Sequence, residues 1–130
     1  MTTEPRIRVV AAVIRREDRY LVCRRPEDKR HGGLWEFPGG KALDGETRVD
    51  AVRRELAEEL ELETVGLGDV LFEASDEGSP FVIEFVETST EGTPILHEHS
   101  EAGWFTPVEL IALPLAPADA RFAALLLSAT

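Results

Sequence analysis

An unbroken apolar run from Val9 to Ile14, bracketed by Arg6, Arg8 and Arg15, opens the chain. It predicts a largely buried strand over residues 6–15. Residues 19–25, RYLVCRR, read as its partner across the polar turn Arg16-Glu17-Asp18. A charged, glycine-rich loop follows at 26–33, then a short strand at 34–38, broken by Pro38-Gly39-Gly40. The period then changes. Val49, Val52, Leu56 and Leu60 recur at helical spacing, and Thr47 with Asp50 makes a cap of the form Thr-x-x-Asp, so a helix is predicted from about Thr47 to Leu60.

Beyond the helix, residues 63–74 and 80–88 read as two more strands, joined by a turn at Asp76-Glu77-Gly78-Ser79. Residues 89–100 are a polar loop, residues 102–106 a short strand holding Trp104. Pro107 starts a brief helix, and Pro117 to Ala129 a last helix with an Ala/Leu-rich face. Strands first, one helix in the middle and one at the end predict an α+β arrangement, a mixed sheet with helices packed on it.

The 130 residues suit one domain, 1–130, with a single sizeable core. Hydrophobic residues at 43% and charged residues at 30% describe an ordinary globular protein. No apolar run approaches the ~20 residues of a bilayer span, which argues against a membrane partner, and the N-terminal MTTEPRIR has no signal-peptide core. Cys23 is the only cysteine, so no internal disulfide can form. A cytoplasmic home is expected, with Cys23 as a plain strand residue. The net charge of -11 argues against tight non-specific nucleic-acid binding, which needs clustered Lys and Arg. It does not exclude small polyphosphates if a divalent cation lies between carboxylates and phosphate.

Much of that acidity lies between Asp44 and Glu63. On the predicted helix Glu55, Glu58 and Glu59 fall on one side, about a quarter turn from the apolar stripe at ~100° per residue. Such a set is either a solvated helix face or a cation site. Oxygen-only ligands would select Mg²⁺, with Mn²⁺ as a substitute, over softer metals. Gly39 and Gly40, placed in the loop before the helix, would let backbone come close to a metal or phosphate.

The stretch Gly40 to Leu62, GKALDGETRVDAVRRELAEELEL, resembles the Nudix box G-x5-E-x7-R-E-U-x-E-E-x-G-U, where U is apolar. LWEFPGGK (Leu34 to Lys41), the strand pair ending in Arg24-Arg25, the pattern Glu98-x5-Trp104 and the tail LPLAPAD (Leu113 to Asp119) are similar to the MutT-type branch of that superfamily. The resemblance implies an α/β/α sandwich around a mixed sheet. It implies Mg²⁺ held by Glu55, Glu58, Glu59 and the Gly40 carbonyl, with Glu46 in support and Arg54 orienting the glutamates. It gives Glu98 the part of a further metal ligand or general base, for which Glu101 competes. His97 and His99 are expected to be solvent-exposed rather than ligands. The one departure is Glu61, where the box has glycine: Glu61 must either adopt a left-handed conformation or let the helix run on.

The activity so implied is Mg²⁺-dependent hydrolysis of a nucleoside triphosphate to monophosphate and pyrophosphate, serving nucleotide-pool sanitation. The partner is a small-molecule nucleotide, and the enzyme a monomer or homodimer. Asp119 stands where MutT-type proteins read the base. Ionised, it only accepts hydrogen bonds and suits an exocyclic amino group, as on cytosine or adenine; protonated, it suits an oxidised guanine. LPLAPAD resembles members acting on CTP and 5-modified dCTP. Trp35 and Phe37 are either base-lining or core, Arg25 either a nucleotide contact or a surface charge, and Gly39 and Lys41 border the predicted phosphate site. The rival readings are another Nudix substrate (ADP-ribose, a dinucleoside polyphosphate, a pterin triphosphate) or a nucleotide-sensing module without catalysis.

Overall fold

The computed structural model describes residues 6–75 and 77–129; Met1–Pro5, Asp76 of the predicted turn and Thr130 lie outside them. In chain order the elements are β1 (Ile7–Arg16), β2 (Arg19–Arg24), β3 (Trp35–Glu36), β4 (Gly39–Lys41), α1 (Arg48–Leu60), β5 (Glu63–Ala74), β6 (Phe81–Glu91), β7 (Glu101–Phe105), α2 (Pro107–Ala112) and α3 (Pro117–Ser128).

β1 is the centre of a seven-stranded mixed sheet. It runs parallel to β6 from Ile7↔Phe81 to Ile14↔Thr88. Its other edge is shared: β4 pairs antiparallel with Val9–Ala11, and β2 takes over at Arg15 and Arg16. β3 and β7 flank β2, and β5 closes the far side along β6.

The unbroken apolar run of β1 is explained by cover on both faces. Val10, Ala12 and Ile14 join Leu21 and Cys23 against Ala51, Val52, Leu56 and Leu60 of α1. Ala11 and Val13 point the other way, into a cluster with Phe37, Phe85, Leu110, Phe122 and Ala123, so α2 and α3 cover that side. The outcome is the expected α/β/α sandwich. Phe122 is the hub of the second cluster, 4.6 Å from the Phe85 ring and 5.3 Å from Phe37. Each such fully buried side chain contributes roughly 1.5–3 kcal/mol through removal from water. Cys23 is buried, and that burial pushes its thiol far above the ordinary range, in keeping with a packing role.

Two boundaries differ from expectation. Gly39–Lys41 are a strand rather than a loop, because β1 offers them a free edge. β6 continues to Glu91, into the predicted polar loop, because Ser89 and Thr90 find partners at Gly66 and Thr64 of β5.

Candidate active site

Helix α1 starts where its cap predicts: the Thr47 hydroxyl accepts from Asp50 N–H at 3.2 Å. It stops at Leu60 because Glu61 turns left-handed, φ 52° and ψ 34°. The Glu61 N–H bonds back to Ala57 O, and Leu62 N–H to Leu56 O. This is the stop a glycine gives without strain; for a glutamate the conformation costs ~1–2 kcal/mol.

The three glutamates of one helix side are graded by depth. Glu59 is only 3% exposed, and its Oε2 accepts from Gly39 N–H at 3.0 Å. Glu55 is half-buried and Glu58 exposed. The grading follows from β4: its backbone lies over the buried end of the row, so Glu59 joins the apolar stripe that sequence periodicity set apart from it. A side chain at Gly39 (φ 152°) would lie 1.9 Å from Val10 O, so that position demands glycine, while one at Gly40 would lie 2.6 Å from the Glu55 carboxylate and displace it.

Arg54 ties this row together. Its guanidinium donates to both oxygens of Glu46 at 2.9 and 3.0 Å, to Glu55 at 3.0 Å, to Glu58 at 3.3 Å and to Lys41 O at 2.9 Å. The arginine holds Glu46 below the usual carboxylate range, helped by the Leu43 N–H. Burial pushes Glu55 up against the pull of Arg54, with the charges of Glu58 and Glu98 adding to the rise. Burial also drives Glu59 up to about 9, and the negative charges of Glu55, Glu98 and Glu36 reinforce it against the single Gly39 hydrogen bond.

Among the described residues no three acids, histidines or cysteines already stand together as a metal cluster. The donor chemistry nevertheless fits a hard divalent cation. The donors are all oxygens, burial and mutual repulsion raise two of the carboxylates in a way a cation would reverse, and the missing Cβ of Gly40 leaves room beside Glu55.

Two cavities lie beside this row, one reaching Glu59 and the other Gly39 and Gly40. One, about 480 Å³, is lined by Glu59, Glu98, Glu36, Arg25, Lys29, His97 and His99. The other, about 440 Å³, runs between β1, β4 and the start of α3 and includes Phe37, Gly39, Gly40, Lys41, Phe81 and Asp119. Arg25 and Glu36 border both. Asp119 is 8% exposed, accepts from Phe37 N–H at 2.9 Å, and is raised by burial to about 7.

Phe37 is core and cavity wall at once. Trp35 is core: its ring packs edge-on against Phe105 at 5.4 Å and lines neither cavity. Its backbone holds the tail instead, donating to Pro114 O and accepting from Ala116 N–H, and this brings Asp119 to Phe37. Lys41 stands over the Phe81 ring at 5.0 Å. Arg25 is half-buried, donating to Arg30 O and to Glu36, rather than a free surface charge. Glu98 lines the first cavity, whereas Glu101 is paired with Arg24 at 3.1 Å.

His97 is exposed as expected, but His99 is not: its side chain is 3% exposed and its Nε2 donates to Glu36 Oε2 at 2.9 Å. The cause is the loop end, drawn in by Ser100 N–H to Arg24 O. Glu36, which receives both Arg25 and His99, is the residue that sequence reasoning passed over. An acid inside the apolar strand motif LWEF was the available signal.

The NUDIX domain family matches residues 5–126 of this chain. The CTP pyrophosphohydrolase of Escherichia coli (strain K12) is 39% identical over 116 residues, covering 87% of this chain and 85% of that protein. The 8-oxo-dGTP diphosphatase of Haemophilus influenzae is 33% identical over 129 residues, 95% of this chain and 93% of that one. Among solved structures, a MutT from work on Aliivibrio salmonicida and Vibrio cholerae superposes with a TM-score of 0.82 at 26% identity, covering 96% of this chain and 99% of the other.

Proposed function

The chain belongs to the NUDIX domain family as a hydrolase of the MutT type acting on phosphorus-containing anhydrides, and from that premise we propose that it hydrolyses nucleoside triphosphates to monophosphate and pyrophosphate with Mg²⁺. CTP and 5-modified dCTP come first and 8-oxo-dGTP second. The observation that carries the reading is one juxtaposition: Glu59 and Glu55 lie against Gly39 and Gly40, and the same two glycines wall the cavity that ends in Asp119. Acids for a cation and a pocket for a base thus share one wall.

Glu55, Glu58, Glu59, Glu98 and the Gly40 carbonyl would hold the Mg²⁺. When bound, the ion neutralises phosphate charge and acidifies a water. Arg54 keeps Glu55 and Glu58 oriented and Glu46 in place. The proton of the attacking water goes to a carboxylate: to Glu98, exposed at the edge of its cavity, where it does not itself hold the ion, or else to a box glutamate. Lys41 and Arg25 lie along the cavities where they can meet phosphate or base. Asp119 reads the base. Ionised it accepts from the cytosine amino group; its rise to about 7 also makes the protonated donor available, which favours an oxidised guanine as the second substrate.

The setting that fits is a single domain acting in the cytoplasm, as monomer or homodimer, to cleanse the nucleotide pool; among the described residues no helix is long and apolar enough to cross a membrane. The test is pyrophosphate release in Mg²⁺ from a panel of canonical and modified nucleotides, compared by kcat/KM. Turnover of CTP or 5-modified dCTP above the rest supports the reading. Release of AMP from ADP-ribose with no triphosphate turnover would refute it.

A further inference from the structure

Two histidines bracket Glu98, and each is hydrogen-bonded to a glutamate on a different element. On one side His97 Nε2 donates to Glu61 Oε2 at 2.5 Å. The backbone adds two bonds there: His97 N–H to Glu59 O at 3.1 Å and Ile95 N–H to Leu60 O at 2.9 Å. These are last-turn carbonyls of α1, which the helix itself cannot satisfy. On the other side His99 Nε2 donates to Glu36 Oε2, and Ser100 N–H to Arg24 O at 3.0 Å. Glu98 is the exposed residue between these two anchors, on the cavity that also holds Glu59.

The Glu61 anchor depends on the one departure from the family box. A glycine at 61 would take the same left-handed backbone freely, but would have no carboxylate for His97. A strained residue whose side chain bonds a loop next to the site does more than end a helix. We infer that Glu61 and His97 are positioning residues: their hydrogen bond locks the loop that carries Glu98 onto the end of α1, and so sets Glu98 against Glu55 and Glu59. The inference rests on the reading of Glu98 as an acid of the site.

The test uses the full chain in Mg²⁺, with CTP and 8-oxo-dGTP as substrates, and compares Glu61→Gly, His97→Ala, their double variant, Glu61→Gln, His97→Gln and Glu98→Gln. Glu61→Gly relieves backbone strain, so its Tm should equal or exceed that of the parent. Its kcat should nonetheless fall about tenfold, with KM within about twofold, because a reacting group is misplaced while the groups that bind substrate stay where they are. His97→Ala should match it, and the double should be no worse than either single, as expected of one shared bond. Gln at either position keeps a hydrogen-bonding group and should restore most of kcat. Amide exchange at Ile95 and His97 should quicken about tenfold in Glu61→Gly whatever the substrate. Parental kcat in Glu61→Gly and His97→Ala beside a crippled Glu98→Gln overturns the positioning role alone, as do losses that multiply or amide exchange that does not change. Full turnover by Glu98→Gln overturns the reading of Glu98 beneath it.

Discussion

The Phe37 peptide N–H donates to Asp119 Oδ2 at 2.9 Å, joining the strand that leads into the glycine pair to the first turn of the last helix. One carboxylate oxygen is thereby engaged in structure, and Asp119 lines the cavity that Phe37 also walls. Asparagine at 119 keeps an oxygen for the Phe37 N–H and loses the titration.

The first prediction is a pH-dependent ranking of substrates. Asp119 is raised from 3.8 to about 7. The ratio of kcat/KM for CTP over 8-oxo-dGTP should therefore climb as pH rises through about 7, as the donor form gives way to the acceptor form. In Asp119→Asn the ratio should be flat across that range. A parallel fall for both substrates at all pH values would remove Asp119 from base reading.

The same shift fixes a stability slope. The folded state holds the Asp119 proton more tightly than the unfolded chain, so the contribution of this one group to stability is full below about 4, is lost as pH climbs to about 7, and is level beyond. Asp119→Asn has no proton to lose. Its urea midpoint relative to the parent should rise between pH 5 and pH 8.

Glu59 carries a conflict between stability and function. Held up to about 9 by burial and neighbouring acids, it is largely protonated at pH 8 without a cation. Glu59→Gln should keep or raise Tm in EDTA, because at pH 8 the folded state must take up a proton that the unfolded chain does not hold. MgCl₂ should raise the Tm of the parent by binding the native state, and Glu59→Gln should lose that rise. kcat/KM should drop about 10²-fold or more, the equivalent of ~3 kcal/mol.

Arg54→Lys should not be conservative. Five hydrogen bonds from one planar fork reach Glu46, Glu55, Glu58 and Lys41 O, and an ammonium cannot span them. Activity or Mg²⁺ affinity should fall about 10–100-fold, measured as the MgCl₂ concentration for half-maximal rate. Phe122→Ala probes the opposite face of the sheet, away from the glutamates of α1. Emptying the hub between Phe37, Phe72 and Phe85 should cost about 3–5 kcal/mol by urea titration.

What the sequence made legible was local. Thr47 and Asp50 mark the start of α1, the Val52-Leu56-Leu60 period marks its buried side, and the box spacing marks its acids, all within a few residues of one another. The unbroken run of β1 announced cover on both faces. What was hidden depends on partners far along the chain. Gly39–Lys41 are a strand because of Val9–Ala11, and His99 is buried because Glu36 waits 63 residues earlier. Trp35 is core because Phe105 lies beside it. Glu61 stood between two outcomes, a left-handed stop or a longer helix. The loop bonds at Glu59 O and Leu60 O accompany the former, since a longer helix would take those carbonyls for itself.

The parallel seam between β1 and β6 has a cost during synthesis. Residues 7–14 cannot meet their partners until residues 81–88 have been made, about 70 residues later, which at ribosomal speed is roughly 3–15 seconds. Throughout that interval the most apolar strand of the protein waits with one edge unfilled. Shielding Val9 to Ile14 on the nascent chain, by a chaperone or a cooler culture, should therefore raise the yield of native protein without changing the stability of the finished sheet.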